Sequence, residues 1–445
     1  MPSSPLPWIA RFEALRTESA IRQRCYRMPR PLELASTASP TDVEVRVGST
    51  LAEIYYPTKQ DVAILGRLRD LAKVYCESAY ESEQRYASKL HAPMKTTTGT
   101  FSNPICLTGL AGVGKSQVID AFCRLFTDTR IQVLDGLLAS PMKGPIKVTL
   151  QRDLGLKAYL NDYINLGVKN PKIHSLKDAI DCFPHRAYAR GAPFVLIDET
   201  QFKVGGSSTS SIRNILLQFT QFGIPLLFVA NLSLVKALSR SPEQLRQRLL
   251  TRPIEVVRDE AGSEDWVAFL RCCHTSLGET ISLDVHSEQE VIHQLTGGIK
   301  RLVVDLLKIS YRHSRGSKRI RQVTMDHVQA AYRSSDYAVS RHQLKALSDY
   351  VISGNPKSEY HNPLGPSRLE RGFDTSNSED PTLKEIARRA SLMQVPVNSK
   401  DNNPDGERRL AAAPSAPRSR KNRPTAGDLL SNAIRLGKGL YGSQN

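Results

Sequence analysis

The chain has 445 residues, 61 Lys and Arg against 44 Asp and Glu, a formal net charge of +17, and 7 cysteines. The length suits one large domain with appendages or two to three ordinary ones, and the odd cysteine count without a C-x-x-C pair argues against a disulfide framework or zinc site and for a reducing cytoplasm. The basic balance favours a polyanion partner, nucleic acid first, while the Arg-rich start and the absence of a long apolar run give no sign of secretion or membrane insertion.

Residues 1–48 read as an N-terminal arm and linker, with a helix over 7–24 and a Ser/Thr/Pro cluster at 36–41. Ile54-Tyr-Tyr-Pro57 follows, then Val62, Ile64, Leu65, Leu68, Leu71 and Ala72 at helical spacing, then a polar loop over 84–100. Residues 104–108 form a short apolar run, 109–116 read Gly-Leu-Ala-Gly-Val-Gly-Lys-Ser, and 117–126 read as a helix. The octet fits G-x-x-x-x-G-K-[ST] in the strand, loop, helix context that its mechanism requires. Gly109, Gly112 and Gly114 let backbone N–H groups wrap a triphosphate at the positive end of the helix dipole. Lys115 is positioned for the β- and γ-phosphates and Ser116 for Mg²⁺, which makes ATP and Mg²⁺ the expected cofactors.

After a strand at 145–150, helices are expected over 153–166 and 175–190, with a basic turn between them that carries Lys169 and Lys172. Phe194-Val-Leu-Ile-Asp198-Glu199 has the uninterrupted apolar run of a parallel strand covered on both faces, ending in two carboxylates. Asp198 would hold the metal through water and Glu199 would polarise the attacking water. A Gly/Ser loop with Lys203 leads into a helix over 212–222, and the strand 225–231 ends in Asn231, a sensor residue for the γ-phosphate or the water.

An arginine-rich helix over 238–250 and a fifth strand over 253–257 follow. Arg248, then Arg246, with Arg252 beside them, could project into the nucleotide of a neighbouring subunit; a solvated arginine face is the plain alternative. Helices over 263–276, 287–295, 300–313 and 325–332 have the size of a small helical lid. Within it Gly297-Gly-Ile-Lys-Arg301 nominates Arg301 for the γ-phosphate, with Lys300 second, and the adjacent Cys272, Cys273 and His274 read as structural. Residues 311–321 form a basic, polar stretch, and the composition beyond residue 354 cannot bury enough apolar surface to order itself, leaving docking segments at 381–394 and 424–441.

This order of motifs resembles the AAA+ ATPases. Within them Ile54-Tyr-Tyr-Pro57, Gln244-Leu-Arg-Gln-Arg248-Leu, Glu264-Asp-Trp266 and Thr296-Gly-Gly-Ile-Lys-Arg301-Leu are similar to segments of the TnsC/TniB family, ATPase regulators of Tn-seven-type transposons. The resemblance covers about residues 50–335 and implies an α/β P-loop fold with sheet order 5-1-4-3-2; the chain then divides into a nucleotide-binding domain over 49–260, a helical lid over 261–340 and, from composition, a largely disordered basic tail over 341–445. It also implies ATP bound between subunits of a homo-oligomeric ring or filament on double-stranded DNA, handed to a transposase with a target-selector protein. Lys169, Lys172 and Lys203 are then the DNA-facing lysines, making sequence-indifferent phosphate contacts. Two alternatives stay open: a replication-initiation or helicase-loading ATPase, and an ATP-gated scaffold that ignores DNA.

Overall fold

The apolar runs on either side of the glycine-rich loop become a parallel sheet in the computed structural model. The strands are β1 (Ile105–Gly109), β2 (Thr129–Ile131), β3 (Ser140–Met142), β4 (Ile146–Thr149), β5 (Val195–Asp198), β6 (Leu226–Val229) and β7 (Arg252–Val256). Among the described residues, the main sheet runs β4-β5-β6-β1-β7, every pairing parallel, and β2 and β3 form a separate antiparallel pair. Counted without that pair and from the β7 edge, the order is 5-1-4-3-2, as the AAA+ resemblance implies. The central strands β1, β5 and β6 are buried at every position, whereas the edge strand β4 alternates buried and exposed. That contrast follows from helices covering both faces of a parallel sheet.

The structure describes residues 6–33, 39–91, 103–126, 129–131, 140–151, 154–165, 175–198, 208–316, 322–355 and 358–364, all within the compact unit Met1–Gln394. Alternate strand residues feed two cores, as the two-residue period of a strand dictates. Ile105, Leu107, Leu196, Leu227 and Val229 join one, and Cys106, Val195, Ile197, Leu226 and Phe228 join the other.

Helices α1 (Pro7–Ala10), α2 (Glu18–Cys25), α4 (Lys59–Ala79) and α5 (Glu83–His91), with α3 (Pro40–Glu53) between them, precede β1. Residues 6–25, expected as an arm with one helix, are two helices and a 3-10 turn, because the Thr17 side chain accepts from the Ala20 N–H and starts α2 afresh. They cover the first core: Trp8 is fully buried and stacked on Tyr80 at 5.2 Å. The stretch expected as linker holds α3 instead, so a helix straddles residues 48 and 49. Ser39 caps it and Pro40 opens it, so part of the Ser/Thr/Pro cluster is a helix start. Val43, Val47 and Leu51, one helical stripe, are buried in the lid's core.

The remaining helices are α6 (Lys115–Arg124), α7 (Leu156–Ile164), α8 (Leu176–Ala189), α9 (Ser208–Thr220), α10 (Leu232–Ser239) and α11 (Glu243–Leu249), followed by the lid helices α12 (Glu264–Leu277), α13 (Val285–Thr296), α14 (Lys300–Gly316), α15 (Met325–Arg333) and α16 (Ala338–Ser353). The single arginine helix expected over 238–250 is split, since Pro242 cannot continue α10 and instead opens α11. Cys272 and Cys273 are packed in the lid core. After α16 the chain returns across the sheet edge: Lys236 Nζ donates to Ser358 O, Asn362 Nδ2 donates to Glu255 Oε2 at 2.7 Å, and Leu364 packs on the second core. No helix among the described residues is long and apolar enough to cross a membrane.

Candidate nucleotide site

The loop between β1 and α6 turns on glycines with positive φ, +136° at Gly109, +89° at Gly112 and +110° at Gly114. Gly112 has no room for a side chain: a Cβ there would lie 2.9 Å from Arg301 Cβ and 3.1 Å from Arg301 Nε. The loop leads into α6 with Gly114 as its N-cap, so the helix's first N–H groups and its dipole face the loop's concave side. Lys115 Nζ is held there, donating to Gly109 O at 2.9 Å and Leu110 O at 2.7 Å.

Ser116 Oγ donates to Asp198 Oδ1 at 3.1 Å. These two groups come from the loop and from the end of β5, separated by 82 residues of chain, and Asp198 is only 3% exposed. A hydroxyl and a buried carboxylate converging beside a lysine and a ring of backbone N–H groups are an all-oxygen donor set suited to a hard divalent cation, next to a cradle suited to phosphate. The residues therefore fit ATP with Mg²⁺: Gly109, Gly112, Gly114 and Lys115 around the phosphates, Ser116 and Asp198 at the metal.

Asn231 lies two residues past the end of β6, which pairs with β1, and its Oδ1 caps α10 by accepting the Leu234 N–H at 2.9 Å. The capping bond fixes the carboxamide, leaving its NH₂ as the half that could donate to a phosphate or a water. The lid supplies a second element: the Arg301 N–H donates to Gly112 O at 3.1 Å, which sets the arginine beside the loop. Its neighbour Lys300 goes elsewhere, forming ion pairs at 3.7 Å with both Asp61 and Asp259. Sequence reasoning missed both carboxylates. Asp61 carried a signal as the third residue of an N-terminal capping box with Thr58.

The arginines Arg246 and Arg248 stand apart from this site. They line a groove of about 880 Å³ with Asn103, Gln244, Thr251 and Leu364. In the β1–β7 register Arg252 is opposite Ile105 and Val256 is opposite Gly109, so these arginines gather at the end of the sheet away from the loop. Four residues of strand separate the two ends by roughly 13 Å, more than an arginine side chain spans. The structure thus does not bring Arg246, Arg248 or Arg252 to the chain's own loop.

Arg312, expected in a basic, polar stretch, lies within α14 and is paired with Glu44 at 3.0 Å and with Asp336. Glu199, Lys169, Lys172, Lys203 and the two tail segments lie outside the described residues.

No protein-family model matches the chain, and no curated protein matches it. Solved structures do. The Aeropyrum pernix ORC1 protein in complex with DNA is 16% identical, with 73% of this chain and 82% of that chain covered and a TM-score of 0.39. Cdc6p from Pyrobaculum aerophilum is 13% identical, with 70% and 80% covered and a TM-score of 0.37. PCH-2 of C. elegans is 14% identical, with 67% and 73% covered and a TM-score of 0.34. At these values the AAA+ architecture rests on this chain's own sheet order, loop and lid.

Proposed function

We propose that the chain is an AAA+ ATPase that binds duplex DNA as an ATP-controlled assembly and regulates transposition, presenting the captured target to a transposase. The observation that carries the ATP site is the convergence of Lys115, the Ser116–Asp198 pair and the lid's Arg301 on one glycine loop. Bound Mg-ATP would supply the reactive phosphoryl group and the metal charge. The chain's part is to hold the phosphates with loop N–H groups and Lys115, to orient the metal with Ser116 and Asp198, and to align a water with Glu199 and Asn231.

Assembly follows from the position of the arginines. Arg248, with Arg246 beside it, is too far from its own loop to stabilise charge there, and we assign it to a neighbouring subunit's nucleotide in place of a solvated arginine face. Such a site is complete only in an oligomer, which couples ATP to assembly. The DNA role is supported by the net charge of +17 and by the proposed lysines Lys169, Lys172 and Lys203, each contributing a phosphate contact. The transposition role is supported by the four segments similar to the TnsC/TniB family.

The test is binding of the full chain to a random-sequence duplex with ATP, with ADP and without nucleotide, across a salt series. Tighter binding with ATP and a log–log salt slope of several units support the reading. Preference for one sequence over random duplex favours the replication-initiation alternative, and indifference to DNA favours the protein-directed scaffold. Replacing both Lys169 and Lys172 by Glu should weaken binding and flatten the slope; no change in either removes those residues from the DNA surface.

A further inference from the structure

The segment Thr296-Gly-Gly-Ile-Lys-Arg301 joins two lid helices, and it is seated on the α/β domain through a buried charge cluster next to the arginine. Lys300 Nζ lies 3.7 Å from Asp61 Oδ2 and 3.7 Å from Asp259 Oδ2, and the three side chains are 13%, 4% and 12% exposed. Asp61 belongs to the first turn of α4, where it accepts the Thr58 N–H at 3.1 Å, and Asp259 follows β7. The two carboxylates therefore come from separate parts of the α/β domain, and the ammonium comes from the lid.

Around this cluster the backbones interlock. Asp259 N–H donates to Gly298 O at 3.4 Å, Arg258 Nη1 donates to Gly297 O at 3.2 Å, and His293 Nε2 is 2.9 Å from Asp259 O. Gly298 has φ +71°, and a Cβ there would lie 2.3 Å from Asp259 O, so nothing larger than hydrogen fits between turn and domain. The Phe269 ring closes one side, 5.8 Å from Lys300 Nζ. Burial alone would push the lysine toward neutrality, yet the negative charges of Asp61 and Asp259, joined by that of Asp265, outweigh it and its pKa is raised above the ordinary value.

We propose that Lys300 is a positioning residue that seats Arg301 on the phosphate loop, by clamping the start of α14 between Asp61 and Asp259. The inference rests on the ATP-site reading for its catalytic consequence, while the seating itself is made by the chain's own residues. Consecutive helix residues project in different directions, so one turn of α14 divides its labour. Lys300 grips the α/β domain, and Arg301 lies over Gly112 with its N–H already bonded to Gly112 O. A lid arginine seated by the chain's own contacts need not be ordered by the nucleotide.

Two readouts on the full chain separate seating from chemistry. In hydrogen exchange without nucleotide, Lys300→Met should speed exchange of the Arg301 amide at least about tenfold, while Lys300→Arg should leave it close to wild type; unchanged exchange in Lys300→Met overturns the proposal. In ATP turnover, Lys300→Met should slow kcat about as much as Arg301→Ala, and the double variant should be no slower than Arg301→Ala alone. Equal further slowing in the Arg301→Ala background would mean that Lys300 acts by some other route, and would also overturn it. Should Lys300→Met fail to fold because two carboxylates are left buried and unpaired, Asp259→Asn/Lys300→Met removes one charge and carries the same exchange test. If the amide responds but neither wild type nor Arg301→Ala turns over ATP, the seating stands and the ATPase reading fails.

Discussion

The backbone N–H of Arg301 donates to Gly112 O at 3.1 Å, so the lid touches the phosphate loop through a residue that tolerates no side chain. Replacing Gly112 by Ala forces a left-handed backbone, φ +89°, on a residue with a Cβ and drives that Cβ into Arg301. The expected cost is about 1–3 kcal/mol of local strain, relieved by displacing the lid arginine. Gly112→Ala should therefore slow ATP turnover at saturating ATP more than it lowers the melting temperature of the whole chain. Full activity in that variant would show that the contact is incidental.

Lys115 and Glu199 should separate binding from hydrolysis. Lys115→Ala removes the one ammonium held within the loop and should weaken ATP binding at least about tenfold, a loss of about 1.4 kcal/mol, and assembly should be lost with it. Glu199→Gln keeps the shape of the side chain but not its basicity, so it should bind ATP normally and hydrolyse it about 10²–10⁴-fold more slowly. Equilibrium binding of a fluorescent ATP analogue and single-turnover hydrolysis check both; loss of binding in Glu199→Gln would contradict the role given to it.

The distance between the arginine groove and the chain's own loop predicts complementation. Arg248→Ala should hydrolyse ATP on the order of 10³-fold more slowly while binding it normally, and Lys115→Ala should leave its own site largely empty at ATP concentrations below its weakened Kd. Mixing the two inactive proteins places an intact Arg248 from one against an intact nucleotide site in the other, and part of the activity should return. Absence of any recovery at concentrations where the wild type assembles would place Arg248 outside catalysis.

Asp259 makes the hinge, where the lid is seated on the α/β domain, sensitive to pH. Burial raises its pKa from the ordinary 3.8 to about 6, with Lys300 opposing that shift only in part. A carboxyl whose pKa is higher folded than unfolded binds its proton more tightly in the native state. It contributes stability below about pH 4 that is lost as the pH rises through 6. Asp259→Asn cannot take up that proton, so the wild type should gain in melting temperature relative to Asp259→Asn as the pH is lowered from 7 to 4. A constant difference across that window would contradict the assignment.

The parts of the fold legible in the sequence were those with a local signature. The glycine octet and the uninterrupted apolar strands around Leu107, Leu196 and Leu227 marked the sheet centre, and the run of four helices expected between residues 263 and 332 marked the lid. Local signals also misled. Ser39-Pro40 looks like linker but starts α3, because the same residues that break helices also cap them. Pro242 divides the arginine helix that a continuous pattern had suggested.

In the candidate site, the approach of Lys115, Ser116 and Asp198 to one loop was legible because loop and strand each carry their own pattern. The hinge was not, since Asp61, Asp259 and Lys300 lie far apart in sequence and meet only through packing of the lid on the α/β domain. Lys300 had looked like a second choice for the phosphate; its neighbours in space, not in sequence, assign it to the hinge.

The most direct test of an ATP-controlled assembly on DNA is light scattering of the purified full chain with ATP, ADP or no nucleotide, each with and without random-sequence duplex. Large particles should form only when ATP and DNA are both present, should dissolve as ATP is consumed, and should persist in Glu199→Gln. Particles of the same size with and without DNA, or with ADP as readily as with ATP, would contradict the account.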